Sequence, residues 1–297
     1  MSASTQIHSL STTETEQLRD AVAKVAKANY EQIVWCAKQS IMSVPRLLKL
    51  LAIAEKLEAI LHDLDNNLAK TEVVAFEACA LVVNKLGKRK GLNLQFTGET
   101  LMATFLGMNF KGMAMRLQKQ YGFELTESEI MHYVSLEKRM VMLNFRRRGI
   151  EATEGSRNFL LAARACGIVQ AIVSSSAMQR IDLTVDLLGI GDIIPECMRF
   201  SAAAWGVSKP DKLPYVKTTE ILHLDPALCA ATEDAWNGTK SAHDARIGYV
   251  LGYSGSVPAE KAEAQAIELM NNGADEVASH WDNMVDVLYD LVYPQSA

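Results

Sequence analysis

Four short segments of this chain carry residues whose types could do chemistry together. In residues 73–84, VVAFEACALVVN, an apolar run leads into a polar tip and then a second apolar stretch. That is the pattern of a buried parallel strand emptying into a loop. The tip offers the Glu77 carboxylate and, two residues on, the Cys79 thiol. In AIVSSSAMQR, Ser174 ends an apolar strand and opens a helix. Its hydroxyl and the free N–H groups of the helix start could hold a phosphate. Lys209, in SKPDKLPY, precedes a proline that fixes the local turn and could present its ammonium to the same phosphate. Glu233 and Asp234, in CAATEDAWNG, end another apolar run. Two adjacent carboxylates are costly there unless a cation or a hydrogen-bond donor neutralises them. Taken singly, each has a plainer alternative: a surface lysine, a solvated acidic loop, a buried inert cysteine.

Bringing these groups together requires strands that end on one side of a sheet. From Ala152 onward the sequence alternates between the two periods: helix 158–166 ended by Gly167, strand 169–173, helix 179–188 ended by Gly189, strands 227–232 and 249–252, and helices 259–271 and 281–292. Such alternation predicts an α/β fold with a doubly wound parallel sheet, whose ligands sit at the carboxyl ends of the strands. Residues 97–148 are helical in spacing. Near the start, Ser11 and Glu14 make a capping box ahead of Leu18, Val22 and Val25. After Pro45, Leu47, Leu48, Leu51, Ala54, Leu57, Leu61 and Leu64 form a broad apolar helix face. That face is either a docking or dimerisation surface or the inside of a helical hairpin packed on its own core. Asp63, Asp65, Asn66 and Asn67 read as a polar turn before the strand expected at Val73.

With 297 residues and 49% hydrophobic content, the chain can bury a full core and carry additions to it. A net charge of -5 argues against nucleic acid as a partner. No apolar run is long enough to span a bilayer, and the polar start MSASTQIHSL lacks a basic-then-apolar leader. The expected compartment is therefore the cytoplasm. Cys36, Cys79, Cys166, Cys197 and Cys229 are odd in number and show no CxxC spacing, which indicates neither a disulfide framework nor a zinc site.

In order, these pieces resemble the motifs of the haloacid dehalogenase (HAD) superfamily of Mg-dependent phosphohydrolases. Ser174 matches the second-motif Ser/Thr, Lys209 the third-motif Lys, and Glu233-Asp234 with Gly238 the acidic fourth motif, Glu-Asp-Ser-x-x-Gly. IVSSSAMQRIDLTVDLLGIGD, SKPDKLPY, ATEDAWNG and the later NNGADEVASHWDNMVDVL look like the CbbY and beta-phosphoglucomutase-like phosphatases. The resemblance runs from about Glu72 to Leu291 and is specific from Gly155 onward. It implies a HAD-like Rossmannoid core of residues 71–84 and 152–297, a helical cap of residues 85–151, and an N-terminal helical extension, residues 1–70, without a family counterpart.

On this alignment the first motif, Asp-x-Asp-Gly in the family, is degenerate: Glu77 stands for the nucleophilic Asp, Cys79 for the acid/base Asp and Ala80 for the Gly. Glu77 would reach about 1.5 Å further than an aspartate. A thiol replaces general acid/base help poorly. Together the changes imply a rate roughly 10⁴- to 10⁶-fold below a normal member. The resemblance still implies a Mg²⁺ site made by Glu77, the Cys79 carbonyl, Asp234 and Glu233, with Ser174 and Lys209 facing a phosphate. The leading expectation is a HAD-fold pseudoenzyme or very weak phosphohydrolase. It would bind a small phosphorylated ligand or a protein partner, including a second copy through the N-terminal helices. The alternative is an active Mg-dependent phosphatase or phosphotransferase using Glu77.

Overall fold

The computed structural model describes residues 9–105 and 108–294. The chain divides into two compact units, one of residues up to Ala69 and from Ala152 onward, the other Lys70–Glu151.

The first unit is built on six strands: β1 (Ala59–His62), β2 (Val169–Ser174), β3 (Arg199–Ser201), β4 (Cys229–Glu233), β5 (Tyr249–Tyr253) and β6 (Glu276–Ala278). All pair in parallel, in the order β3-β2-β1-β4-β5-β6. This is the expected doubly wound sheet. The chain steps outward from β1 through β2 to β3, then returns to the other flank of β1 as β4. The boundary between β1 and β4 is thus the topological switch point, the position at whose carboxyl end doubly wound sheets hold their ligands. Around the sheet lie α1 (Thr12–Val22), α2 (Tyr30–Lys38) and α3 (Val44–Ala54). The second unit holds α4 (Thr71–Arg89), α5 (Gly98–Phe105), α6 (Phe110–Tyr121) and α7 (Glu127–Arg148). The first unit resumes with α8 (Ser156–Ala165), α9 (Met178–Leu188), α10 (Leu213–Leu222), α11 (Trp236–Asp244), α12 (Ala259–Asn271) and α13 (Trp281–Val292).

Two expectations are corrected here. Residues 73–84 are not a strand; they lie inside the 19-residue helix α4. Phe76, Cys79, Ala80, Val83 and Leu86 are buried at helical spacing, while Glu77 and Lys85 fall between them. A continuous apolar run does not by itself distinguish the two states. The sheet's first strand is instead β1, drawn from the segment read above as the end of a Leu-rich helix. That helix, α3, stops at Ala54.

The second correction concerns the apolar face of α3. Leu47, Leu50, Leu51 and Ile53 are all buried within the chain, and so is Leu57 beyond the helix. Helix α3 packs on α13, α1 and α8. Arg46 and Lys49 pair with Asp286 of α13 at 2.9 and 2.7 Å, and the Tyr293 hydroxyl donates to the Ala52 carbonyl at 2.8 Å. Of the two readings of this face, the structure shows a core face. The capping box of α1 forms, with Ser11 Oγ accepting from Glu14 N–H and Glu14 Oε2 accepting from Ser11 N–H. No described helix is long and apolar enough to cross a membrane.

Strand β1 is buried on both faces. Ala59 and Leu61 join Ala171, Val173, Ala231 and Val250 on one side. On the other, His62 lies 6.1 Å from both the Phe159 and the Trp281 rings. Its ring is fully enclosed yet satisfied: Nδ1 is 2.9 Å from Thr232 Oγ1 on β4 and Nε2 is 3.2 Å from Gln170 Oε1 on β2. Gln170 Nε2 donates onward to the Leu160 carbonyl, and Asn67 Nδ2 donates to Thr232 Oγ1. The chain is consistent with a neutral ring that donates from Nε2 and accepts at Nδ1. Burial pushes its pKa down from 6.5 to about 4, against a smaller upward effect of Gln170.

A pH dependence follows. Because the folded value lies below the unfolded one, this group's stabilisation is complete above pH 6.5 and is lost as the pH falls toward 4. The loss is on the order of 3 kcal/mol. Urea unfolding between pH 7 and pH 4 should show this increment in the wild type and lack it in His62→Gln.

Candidate functional site at the strand ends

The carboxyl ends of β1, β2 and β4 converge at the switch point. Directly after β1 comes Asp63, whose N–H donates to the Thr232 carbonyl of β4 at 2.9 Å. The chain then turns through Leu64 and Asp65 to Asn66, which adopts a left-handed φ of 60°, a conformation Asn tolerates better than most residues. Asn67 is buried behind this turn, its Nδ2 donating to the carbonyls of Asp63 and Thr232 at 3.0 and 3.1 Å. It thereby ties the ends of β1 and β4 together where their acids emerge.

Lys209 lies in the middle. Its Nζ is 2.5 Å from Asp63 Oδ1, 2.6 Å from Glu233 Oε1 and 2.7 Å from the Val173 carbonyl, so all three ammonium donors are used. The side chain is 3% exposed. The Tyr215 hydroxyl also donates to Glu233 Oε1, and the Tyr215 ring lies 5.4 Å from Lys209 Nζ. Burial works against the ammonium, but Asp63 and Glu233 outweigh it and raise the Lys209 pKa. Burial pushes Asp63 up; Lys209 opposes this while Glu233 and Asp65 add to it. Glu233 is likewise raised by burial, with Lys209 and Tyr215 pulling the other way. One ammonium is thus set against an excess of carboxylates.

Gly238 belongs to the same construction. A Cβ there would overlap the Glu233 carboxylate, so only glycine lets that carboxylate lie against the first turn of α11. Asp234 follows, nearly buried, its carbonyl accepting from Gln265 Nε2.

The second carboxylate of the turn has its own partners. Asp65 Oδ1 is 2.7 Å from Arg180 Nη2 of α9, and Asp65 Oδ2 accepts from Ser176 Oγ at 2.6 Å. Ser174 Oγ lies 3.4 Å from the same oxygen and accepts from the Ser176 N–H at 3.0 Å.

Of the residues singled out from the sequence, Ser174, Lys209, Glu233 and Asp234 gather here. Glu77 and Cys79 do not end a strand. They lie on α4 in the second unit, where Glu77 contacts Asn144 and Arg148 at 3.2 and 3.3 Å and Cys79 lies 3.5 Å from Glu137. In their stead the strand end carries Asp63 and Asp65, which sequence reasoning passed over, together with Asn67, Ser176, Arg180 and Tyr215. A signal was present: Asp63-Leu64-Asp65, one residue after the apolar Ala59-Ile60-Leu61, has the Asp-x-Asp spacing sought fourteen residues further on.

Asp63, Glu233 and Asp234 each place a carboxylate oxygen within 4.8 Å of the others. Three oxygen donors with excess negative charge suit a hard divalent cation such as Mg²⁺, and the set has no sulfur or imidazole that would favour zinc.

Comparison with known proteins agrees with this architecture. The profile of haloacid dehalogenase-like hydrolases matches residues 60–251, which begin on β1 and end on β5. Beta-phosphoglucomutases of Mycobacterium bovis and Mycobacterium tuberculosis are 30% identical over 136 residues, covering 44% of this chain and 48% of theirs. The aligned part is thus about half the length of those relatives. Among solved structures, a HAD family hydrolase from Deinococcus radiodurans with bound phosphate and sodium is similar at a TM-score of 0.61 and 23% identity, covering 82% of this chain and 99% of that one. A CbbY variant from Rhodobacter sphaeroides, in complex with xylulose-(1,5)bisphosphate, gives 0.60 and 17%, covering 76% and 95%. The putative beta-phosphoglucomutase of Bacteroides vulgatus gives 0.58 and 15%, covering 94% and 98%. Matched over most of its sheet, and sharing the fold of these solved structures, the chain belongs to the haloacid dehalogenase-like hydrolase family.

Proposed function

We propose that this protein is a Mg²⁺-dependent phosphohydrolase or phosphotransferase acting on a small phosphorylated substrate of the sugar-phosphate class, with Asp63 as nucleophile and Asp65 as general acid and base. The observation that carries this reading is the Asp63-Leu64-Asp65 turn at the end of the central strand, facing Lys209, Ser174 and the Glu233-Asp234 pair from the neighbouring strands. The expectation of a degraded catalytic tip rested on a strand over residues 73–84. With that segment helical, the acids at the strand end are two aspartates. The substrate class is drawn from the sugar phosphate named in the relatives' descriptions.

In the first step an Asp63 carboxylate oxygen attacks phosphorus as the ester P–O bond breaks, and the departing oxygen takes a proton from Asp65. An acyl phosphate on Asp63 and a free alcohol result. Water, or an acceptor hydroxyl in a transfer, then attacks the same phosphorus and gives its proton to the Asp65 carboxylate, restoring Asp63. Lys209 and the Ser174 hydroxyl supply charge and donors for the phosphoryl oxygens. Asp63, Glu233 and Asp234 are the side chains that would hold Mg²⁺, which when bound neutralises charge on the nucleophile and the phosphoryl group.

Asp63→Asn should lower Mg²⁺-dependent phosphatase turnover by at least about 10³-fold and Asp65→Asn by about 10²- to 10⁴-fold. Glu77→Gln, on α4, should cost less than about tenfold; steady-state rates with a panel of sugar phosphates check this. Turnover that survives Asp63→Asn and disappears in Glu77→Gln would return the nucleophile to α4.

Lys209→Met leaves two buried carboxylates without their cation, and should destabilise the protein by about 3–5 kcal/mol. Thermal unfolding with and without Mg²⁺ provides a readout independent of activity. Mg²⁺ should raise the midpoint in the wild type, and the variant should depend on it more strongly.

A further inference from the structure

The two aspartates of the turn are held by different cations from different elements: Asp63 by Lys209, and Asp65 by Arg180 of α9. Arg180 sits on a fixed base. The next residue, Ile181, is fully buried, and Asp182 is paired with Arg199 at 2.9 Å, which in turn donates to the Ile194 carbonyl at 3.1 Å. Ser176 is equally constrained. Its carbonyl accepts from Ser201 Oγ at 2.7 Å and its N–H donates to Ser174 Oγ at 3.0 Å. Between them, Arg180 and Ser176 engage both oxygens of Asp65. The Asp65 carboxylate therefore has its direction set by α9 and the loop after β2, independently of the Lys209 cluster.

Both Asp65 oxygens accept from donors on fixed elements, and this geometry fixes the direction from which the carboxylate meets a further proton. Of the two steps proposed above, the second has Asp65 as the acceptor. We propose that Arg180 is a positioning residue that commits Asp65 to the hydrolysis of phosphorylated Asp63, an inference that rests on the roles assigned to the pair in the preceding section. In that step a water oxygen bonds to phosphorus, one water proton passes to an Asp65 oxygen, and the bond from phosphorus to Asp63 breaks. The products are inorganic phosphate and the Asp63 carboxylate. Arg180 touches neither the water nor the phosphoryl group; it keeps the acceptor aimed.

The test uses the full chain with Mg²⁺ and p-nitrophenyl phosphate, whose phenolate leaves without needing a proton, so that phosphorylation of Asp63 proceeds without help from Asp65. In Arg180→Met, stopped-flow absorbance should show a burst of p-nitrophenolate approaching one per folded enzyme. Steady turnover after the burst should be about 10- to 100-fold slower than in the wild type. KM should fall with kcat, leaving kcat/KM within about threefold. Arg180→Lys keeps the charge without the guanidinium fork and should recover part of the steady rate. Circular dichroism melts on the same samples give the folded fraction. Wild-type turnover in Arg180→Met, or equal loss of kcat and kcat/KM with no burst, would reduce Arg180 to a structural tie and overturn this inference alone. A wild type that turns over neither p-nitrophenyl phosphate nor a panel of sugar phosphates overturns the proposed function, and this inference with it.

Discussion

The Lys209 ammonium, enclosed between Asp63 and Glu233, is the interaction on which the strand-end arrangement depends. A parallel sheet sends all its strands out at one end, so acids that follow neighbouring strands are forced together in a space with little water. Burying such charges costs several kcal/mol each unless geometry and hydrogen bonding are both good. Here the cation spends its three donors on two carboxylates from adjacent strands and one backbone carbonyl from a third. Charge balance is left incomplete, because Asp234 adds a further carboxylate beside the pair. That residual negative charge is what makes the three carboxylates suited to a divalent cation.

Behind the charges lies a second, neutral network that fixes where they can be. Asn67 joins the carbonyls of Asp63 and Thr232, Thr232 meets the His62 ring, and His62 reaches Gln170. It crosses β4, β1 and β2 in one line beneath the carboxylates. Both nitrogens of the His62 ring and the Asn67 amide nitrogen find partners, while Asn67 Oδ1 is buried without one, a cost that the remaining bonds of the network offset. The acids above it are therefore held by rigid strands rather than by the loop alone, which is the condition for placing reacting groups to within fractions of an ångström.

The helical unit enters the chain directly after this turn. Residues 70–151 leave the first unit at Ala69 and return at Ala152, and an isolated bridge joins those two residues. The insertion follows the Asp63–Asp65 turn by only a few residues, so the sequence passes from a four-residue strand through that turn into a 19-residue helix almost without a linker. This compression leaves the segment ambiguous in its residues alone. Leu57, Leu61 and Leu64 continue the apolar spacing of α3, and the apolar run at Val73 imitates a buried strand.

Local patterns determined a large part of this protein. Most of the alternating elements after Ala152 were legible because each has a run of apolar residues at one period and two of the helices end in glycine, whereas β3, α10 and α11 carry no such signal. Ser174, Glu233 and Asp234 were legible as strand-end residues for the same reason, and Lys209 from the proline that follows it. The position of the first strand was decided only in three dimensions. Ala59–His62 is a strand because it pairs with β2 and β4, more than a hundred residues away, and residues 73–84 are a helix because their buried side chains pack on α5 and α7. The pairing of charges was decided there as well: Lys209 meets Asp63 across 146 residues and Arg180 meets Asp65 across 115. Sequence spacing reports the period of a segment. Which carboxylate a cation neutralises depends on which strand ends lie side by side, and that is a property of the folded sheet.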